Sequence, residues 1–302
     1  MPFAAEVTGL HQWYGGFEAV RGVSLQVRPG ELFALLGTNG AGKTTVLETL
    51  EGFRPAGRGS VRVLGRDPHR DRARVRPQLG IMMQEGGLFP DLTVAETLDL
   101  WRDLTPEPRD RAELLGLVNL ADRAKVGVRQ LSGGQKRRLG LALAITGRPR
   151  MLFLDEPTTG MDPEARHAVW QVVRGLVADG TTVLLSTHYL EEAEQVADRL
   201  AIMHHGRFEA AGTLGEVLAD HGDRISFRLP PHLGPGDLPA PGGVRPVVSP
   251  AGEVSYTVNG LQEVLHDLLR WADGERLALA DLQARSASLE DVFLKIAGGD
   301  RR

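Results

Sequence analysis

The chain contains no cysteine, which excludes a disulfide framework and fits a reducing compartment. It lacks a surplus of basic charge: 35 Lys and Arg face 39 Asp and Glu, leaving a formal net charge of −4. That balance argues against a nucleic-acid partner, which calls for a basic footprint. No run approaches the roughly 18 uninterrupted apolar residues of a membrane span. The opening Met1-Pro2-Phe3-Ala4-Ala5-Glu6 has neither the basic region nor the apolar core of a signal peptide. Any membrane role is therefore expected through a partner. Aromatics are few at 5%, yet hydrophobic residues reach 42%, ordinary for a folded globular protein. A length of 302 residues predicts a larger and a smaller domain.

The most informative stretch is Gly37-Thr38-Asn39-Gly40-Ala41-Gly42-Lys43-Thr44-Thr45. The apolar run Leu32–Leu36 precedes it and the helix-forming Val46–Leu50 follows. Strand, glycine-rich turn and helix is the context a phosphate-binding loop requires. Gly37, Gly40 and Gly42 permit backbone angles that let amide N–H groups converge on phosphate oxygens. The helix beginning near Lys43 turns its positive dipole end to the same anion. Lys43 is then expected on the β- and γ-phosphates and the Thr44 hydroxyl on Mg²⁺. The alternative is a plain glycine turn beside a surface lysine.

Other polar positions fall at the ends of predicted elements. Tyr14 lies 29 residues before Lys43, in a turn marked by Gly15-Gly16, and suits either packing or stacking on a base. A strand over Ser60–Leu64 is followed by Arg66–Arg76, where interleaved aspartates indicate a solvated face. The strand Ile81-Met82-Met83 ends in Gln84, broken by Glu85-Gly86-Gly87. Residues 90–146 read as mostly helical, with Thr93 and Glu96 forming a capping box. Ser132-Gly133-Gly134-Gln135 fronts a helix over Lys136–Ile145, either as an ordinary serine cap or as a second anion site. The buried strand Met151–Leu154 ends in Asp155-Glu156. Two carboxylates there are costly unless a cation or a reaction uses them. Asp155 suits Mg²⁺ and Glu156 suits a general base. Pro163 opens a helix with Ala165, Val169, Val172, Val173 and Leu176 on one side. His188 follows the strand Thr181–Ser186, at the sheet edge where open α/β folds build sites. His204-His205 reads as a hairpin tip without chemistry.

Beyond about Leu214 the pattern changes. Ile225, Phe227 and Leu229 alternate, as do Val254, Tyr256 and Val258, around a Pro- and Gly-rich stretch at 230–250. Leu261, Val264, Leu265 and Leu268 have helical spacing, and Ser288 is placed to cap a last helix. The expectation is a small α+β appendage without a catalytic constellation.

Taken in order, these residues resemble the ATP-binding cassette family, the nucleotide-binding subunits of ABC transporters. The resemblance spans roughly residues 5 to 215. Tyr14 matches the adenine-stacking aromatic, Gly37–Thr45 the Walker A loop, and Gln84 the Q-loop glutamine. Leu131–Gln135 is the LSGGQ signature, Met151–Glu156 matches Walker B with its catalytic glutamate, Thr159–Asp162 the D-loop, and His188 the switch histidine. Thr38 and Met161 stand where the family often has Pro and Leu, and neither change removes a charge or a ligand. The resemblance implies an α/β P-loop fold: a RecA-like mixed sheet with an antiparallel part, and a helical subdomain at about 88–147. It places the nucleotide-binding domain at 1–215 and an α+β accessory domain at 216–302. It implies ATP and Mg²⁺ as cofactors. ATP is held by Tyr14, the loop Gly37 to Thr45, Gln84, Ser132 to Gln135, Asp162 and His188. Mg²⁺ is held by Thr44, Gln84 and Asp155, and catalysis falls to Glu156, His188 and Lys43.

The resemblance also implies partners: a second cassette, paired head to tail as a homodimer, and a separate membrane permease. Ser288-Leu289-Glu290-Asp291-Val292-Phe293-Leu294-Lys295 is similar to the tail of ATPases serving ABC-2-type exporters of drugs, lipids or polysaccharides. Residues Gly87–Asp91, including Phe89, are the expected contact with the permease. An importer ATPase is the runner-up. A non-transport cassette is disfavoured by the single cassette and the absence of a long heptad insert. The implied location is cytoplasmic, peripheral on the inner face of the cell membrane.

Overall fold

A computed structural model describes residues 3–84, 87–219, 221–230 and 232–298. Met1-Pro2 and Glu85-Gly86, on which two of the readings above fall, lie outside the described residues. The chain divides into two compact units, Met1–Leu214 and Gly215–Arg302.

In the first unit, β1 (Ala5–Tyr14) and β2 (Phe17–Val27) form a hairpin, then β3 (Leu32–Gly37) runs into α1 (Lys43–Leu50). β4 (Arg58–Val63) returns to pair antiparallel with β1, giving a three-stranded sheet in the order β2-β1-β4. Leu64, at φ 50, ends that strand one residue earlier than its apolar character suggests. The short α2 (Arg72–Val75) leads to β5 (Leu79–Met82). Then come α3 (Val94–Asp103), α4 (Arg111–Leu117) and α5 (Gly133–Ala144), with two 3₁₀ turns, Ala121–Arg123 and Val128–Gln130, between α4 and α5. The segment 90–146 is thus helical in three pieces. Pro106 and Pro108 lie in the first gap, where they cannot continue α3.

The rest of the unit alternates strand and helix: β6 (Met151–Asp155), α6 (Pro163–Ala178), β7 (Thr182–Thr187), α7 (Leu190–Val196), β8 (Arg199–His204) and β9 (Arg207–Gly212). Six strands assemble in the order β5-β6-β7-β3-β8-β9, parallel except for the β8–β9 hairpin. Every residue of β3, β6 and β7 is buried, as expected of strands covered on both faces. On α6 the buried side chains are Val169, Trp170, Val173 and Leu176. Trp170 is buried there, whereas Val172, expected on that face, is only half-buried.

The second unit begins within α8 (Leu214–Leu218). It comprises β10 (Asp223–Arg228), β11 (Val247–Val248), β12 (Glu253–Val258), α9 (Leu261–Gly274), β13 (Gln283–Arg285) and α10 (Leu289–Gly298). Its antiparallel sheet has the order β11-β12-β10-β13. Ile225 pairs with Tyr256 and Phe227 with Val254, so the alternating apolar residues share one face and pack with Val264 and Leu268 of α9. Each such side chain contributes about 1.5–3 kcal/mol on burial. The Tyr256 hydroxyl donates to the Pro239 carbonyl at 2.8 Å, and burial pushes its pKa up to about 12. Ser288 precedes α10, but its hydroxyl and backbone N–H both donate to the Asp291 carboxylate, so the acid does the capping.

Candidate functional site

The parallel strands β3, β6 and β7 all end at one edge of the sheet, and the polar residues that follow them gather there. In-register pairing sets Asp155 beside Ser186 and Leu36 beside Thr187. Gly37 and Gly42 have φ of 153° and 108°, and each is needed for a close approach. A Cβ on Gly37 would lie 2.3 Å from the Met203 carbonyl oxygen, and one on Gly42 would lie 2.6 Å from that of Ala19. The loop is therefore seated against the backbone of β2 and β8. The first N–H groups of α1 have no acceptor within the helix and form a ready anion cradle.

Lys43 is buried, and its Nζ donates to the carbonyls of Gly37 (2.8 Å) and Thr38 (3.2 Å), folding over the loop. Burial lowers its pKa, opposed by the negative charges of Glu156 and Asp155. Thr44 Oγ1 donates to Asp155 Oδ2 at 3.4 Å, and Ser186 Oγ holds the other oxygen, Oδ1. A hydroxyl and a carboxylate facing each other beside a phosphate cradle fit Mg²⁺, which takes few protein oxygens and completes its octahedron with water and phosphate.

Glu156 is buried and adopts a left-handed φ of 51°, which turns its side chain out of the strand direction. Its N–H donates to the Ser186 carbonyl at 3.1 Å, locking the bend. Glu156 Oε2 accepts from Thr159 Oγ1 at 3.0 Å and lies 2.6 Å from His188 Nδ1. Glu156, His188 and Lys43 therefore lie together at one end of the sheet. Such a bend costs of order 1–3 kcal/mol and persists because the surrounding bonds over-determine it.

Residues unnoticed in the sequence support this edge. Ser186 positions Asp155, and the signal was available: a hydroxyl closing an apolar strand beside an acid. Glu192 accepts from Thr158 Oγ1 at 2.6 Å and pairs with Arg166 at 3.6 Å, while Arg166 Nε donates to the Met161 carbonyl at 3.0 Å. This ties the turn after Glu156 to the helix after His188. Burial raises the Glu192 pKa.

Tyr14 stands at the hairpin tip, 43% exposed. Its hydroxyl contacts Thr45 Oγ1 (3.2 Å) and Glu48 Oε2 (3.3 Å), which brings it to the loop's helix. Asp162 caps α6, accepting from Ala165 N at 2.8 Å. Ser132 and Gln135 form a reciprocal capping box at the head of α5, so that helix starts at Gly133, three residues earlier than read from sequence. Among the described residues, Ser132 to Gln135 make no hydrogen bond to the chain's own phosphate loop. Gln84 lies apart as well, exposed on a groove of about 1170 Å³ with Met83, Leu88, Trp101, Leu104 and Arg137 among its walls. Gly87, Leu88 and Pro90 line that groove, whereas Phe89, 51% exposed, does not.

A phosphate cradle, a cation pocket and a bent acidic base on a parallel sheet define a nucleoside triphosphatase of the P-loop type. Comparison with known proteins makes this specific. A model of the ABC transporter family matches residues 20–159, and one for the C-terminal domain of ABC transporter domain-containing proteins matches 223–288. The daunorubicin resistance ATP-binding protein DrrA3 of Streptomyces coeruleorubidus is 39% identical over 99% of this chain and 97% of its own length. The Nod factor export ATP-binding protein I of Paraburkholderia xenovorans is 39% identical over 99% and 98%. A solved ATP-binding subunit of an ABC transporter superposes with a TM-score of 0.66 at 30% identity, covering 72% of this chain and 92% of its own. A dimeric bacterial ABC transporter cassette shares the fold, with a TM-score of 0.64 at 24% identity over 70% and 98%. The chain belongs to the ABC transporter family, as one of its ATPase subunits. Among the described residues, no helix is long and apolar enough to cross a membrane.

Proposed function

We propose that this chain binds Mg-ATP at the described edge, hydrolyses it as half of a head-to-tail pair, and so drives export through a separate permease of the ABC-2 type. The observation that carries the reading is the convergence of Lys43, Thr44, Asp155, Glu156 and His188 on one pocket edge. The loop amides and Lys43 hold the phosphates, Lys43 exchanging its carbonyl partners for phosphate oxygens. Thr44 and Asp155 would hold Mg²⁺, with Gln84 as the third ligand the family resemblance implies. Bound there, the ion offsets charge on the β- and γ-oxygens. Glu156 accepts a proton from water as the water oxygen attacks the γ-phosphorus. The bond from that phosphorus to the bridging oxygen breaks, and ADP and phosphate leave. His188, held by Glu156 in this structure, keeps the γ-phosphate and water in line.

Ser132 to Gln135, free of their own loop, supply the second anion site to a partner's ATP. The daunorubicin-resistance and Nod factor export relatives support the export direction, with a drug, lipid or polysaccharide as the cargo. The groove beside Gln84 suits a permease segment, since its apolar wall carries Arg137 and Lys136 at the rim. On this reading the chain works at the cytoplasmic face of the membrane.

The test is Glu156→Gln. ATP-dependent dimerisation by size exclusion should persist while turnover falls about 10²–10⁴-fold, the contribution of a positioned general base. Turnover within a few-fold of wild type would refute the assignment of Glu156.

A further inference from the structure

Tyr14 is held by more than its hydroxyl. The guanidinium of Arg54 lies 4.1 Å from the ring centroid, covering one face of the aromatic. Arg54 follows the end of α1, and its Nε pairs with Glu48 Oε2 at 2.7 Å. The same oxygen accepts the Tyr14 hydroxyl at 3.3 Å. Glu48 is thus a node that fixes both the ring plane and the cation stacked on it. The backbone repeats the tether, because the N–H groups of Phe53 and Arg54 both point to the Glu48 carbonyl, at 2.9 and 3.4 Å. Thr45, in the phosphate loop itself, completes the set at 3.2 Å from the tyrosine oxygen.

A cation over one face of an aromatic ring draws on the ring's quadrupole and leaves only the other face for a second stacking partner. A purine offered to that second face meets a ring already oriented by three groups from the phosphate-loop helix and its exit turn. It also meets a π-surface depleted of electron density by the cation behind it, which favours stacking with an electron-rich base. Without Arg54 the ring would keep only its hydroxyl anchors and would rock about them.

We propose that Arg54, held by Glu48, is a positioning residue for the nucleotide base, backing Tyr14 in a guanidinium–tyrosine–purine stack. It sets affinity for the base and not for the phosphates. This rests on the reading of Tyr14 as the stacking residue, and the two can be tested apart.

Calorimetric titration of the full chain with AMP-PNP and with inorganic tripolyphosphate separates the base from the phosphates. Arg54→Ala should weaken AMP-PNP about two- to fivefold, the scale of a partly exposed cation–π contact, and leave tripolyphosphate unchanged. Arg54→Lys, which keeps charge but loses the flat stacking group, should fall between. Tyr14→Ala should show the same selectivity with a larger loss. If Tyr14→Ala is selective and Arg54→Ala is not, the inference about Arg54 fails and the stacking reading stands. Without selectivity in Tyr14→Ala, both fall. Parallel loss of both ligands in Arg54→Ala would mean that the arginine shapes the phosphate loop, which also overturns the proposal.

Discussion

Glu51, at the C-terminal end of α1, offers a test of the electrostatics beneath the site. The side chain is buried, and its pKa is raised from an ordinary 4.5 to about 8. Burial is the main cause. The negative charge of Asp155 adds to it, Arg76 opposes it, and Glu48 contributes a smaller rise. The folded protein therefore binds a proton at this position that the unfolded chain releases above its own value. Stability contributed by the protonated form is present at low pH and drains away as pH rises from about 4.5 through 8. Between pH 6 and pH 9 the folded state loses about two pH units of linkage, on the order of 2–3 kcal/mol. Glu51→Gln cannot make that loss. Thermal melts of the wild type and the variant, in EDTA so that no cation masks Asp155, should separate as pH rises. At roughly 2–4 °C per kcal/mol for a protein this large, the variant should gain about 5–10 °C on the wild type between those pH values. A Tm difference that stays constant from pH 6 to pH 9 would refute the buried-acid argument.

Two further outcomes follow from local geometry. Gly42→Ala places a methyl 2.6 Å from the Ala19 carbonyl at a φ of 108°, so fluorescent-nucleotide binding should be lost. The melting temperature should fall by an amount matching about 1–3 kcal/mol. Thr93→Ala removes the bond from Glu96 N–H to the Thr93 hydroxyl and the bond from that hydroxyl to Glu96 Oε2, and should cost about 1 kcal/mol in urea unfolding, with ATP turnover unchanged.

Much of the site could be read from the sequence because its chemistry sits at element ends, where chain order and spatial position coincide. Asp155, Glu156 and His188 each terminate an apolar strand, and parallel pairing of those strands puts them together. The smaller unit was legible for the same reason: Ile225, Phe227, Val254, Tyr256 and Val258 alternate and pair across β10 and β12. What escaped were features set by tertiary packing. Glu51 reads as the polar end of a helix, and only the fold reveals that it is buried. Arg54 looks like one more surface arginine until the hairpin brings Tyr14 under it. The left-handed turn at Glu156 leaves no mark in composition, since it is enforced by the Ser186 carbonyl from a neighbouring strand. The early start of α5 was missed because two glycines argued for a loop, whereas the Ser132–Gln135 box outweighs their low helix propensity.

That box has a consequence for which residues position 132 can tolerate. Serine oxygen accepts the Gln135 N–H, which leaves its own hydrogen unspent and aimed away from the helix. Aspartate caps helices as well as serine does, yet it has no hydrogen to give and, on the proposed head-to-tail reading, would meet the partner's phosphate with like charge. Alanine offers neither bond. Threonine keeps both but adds a methyl group at the mouth of the helix. Residues that are interchangeable in an ordinary cap thus become unequal here, and a library randomised at this position should sort by donor capacity, not by helix stability.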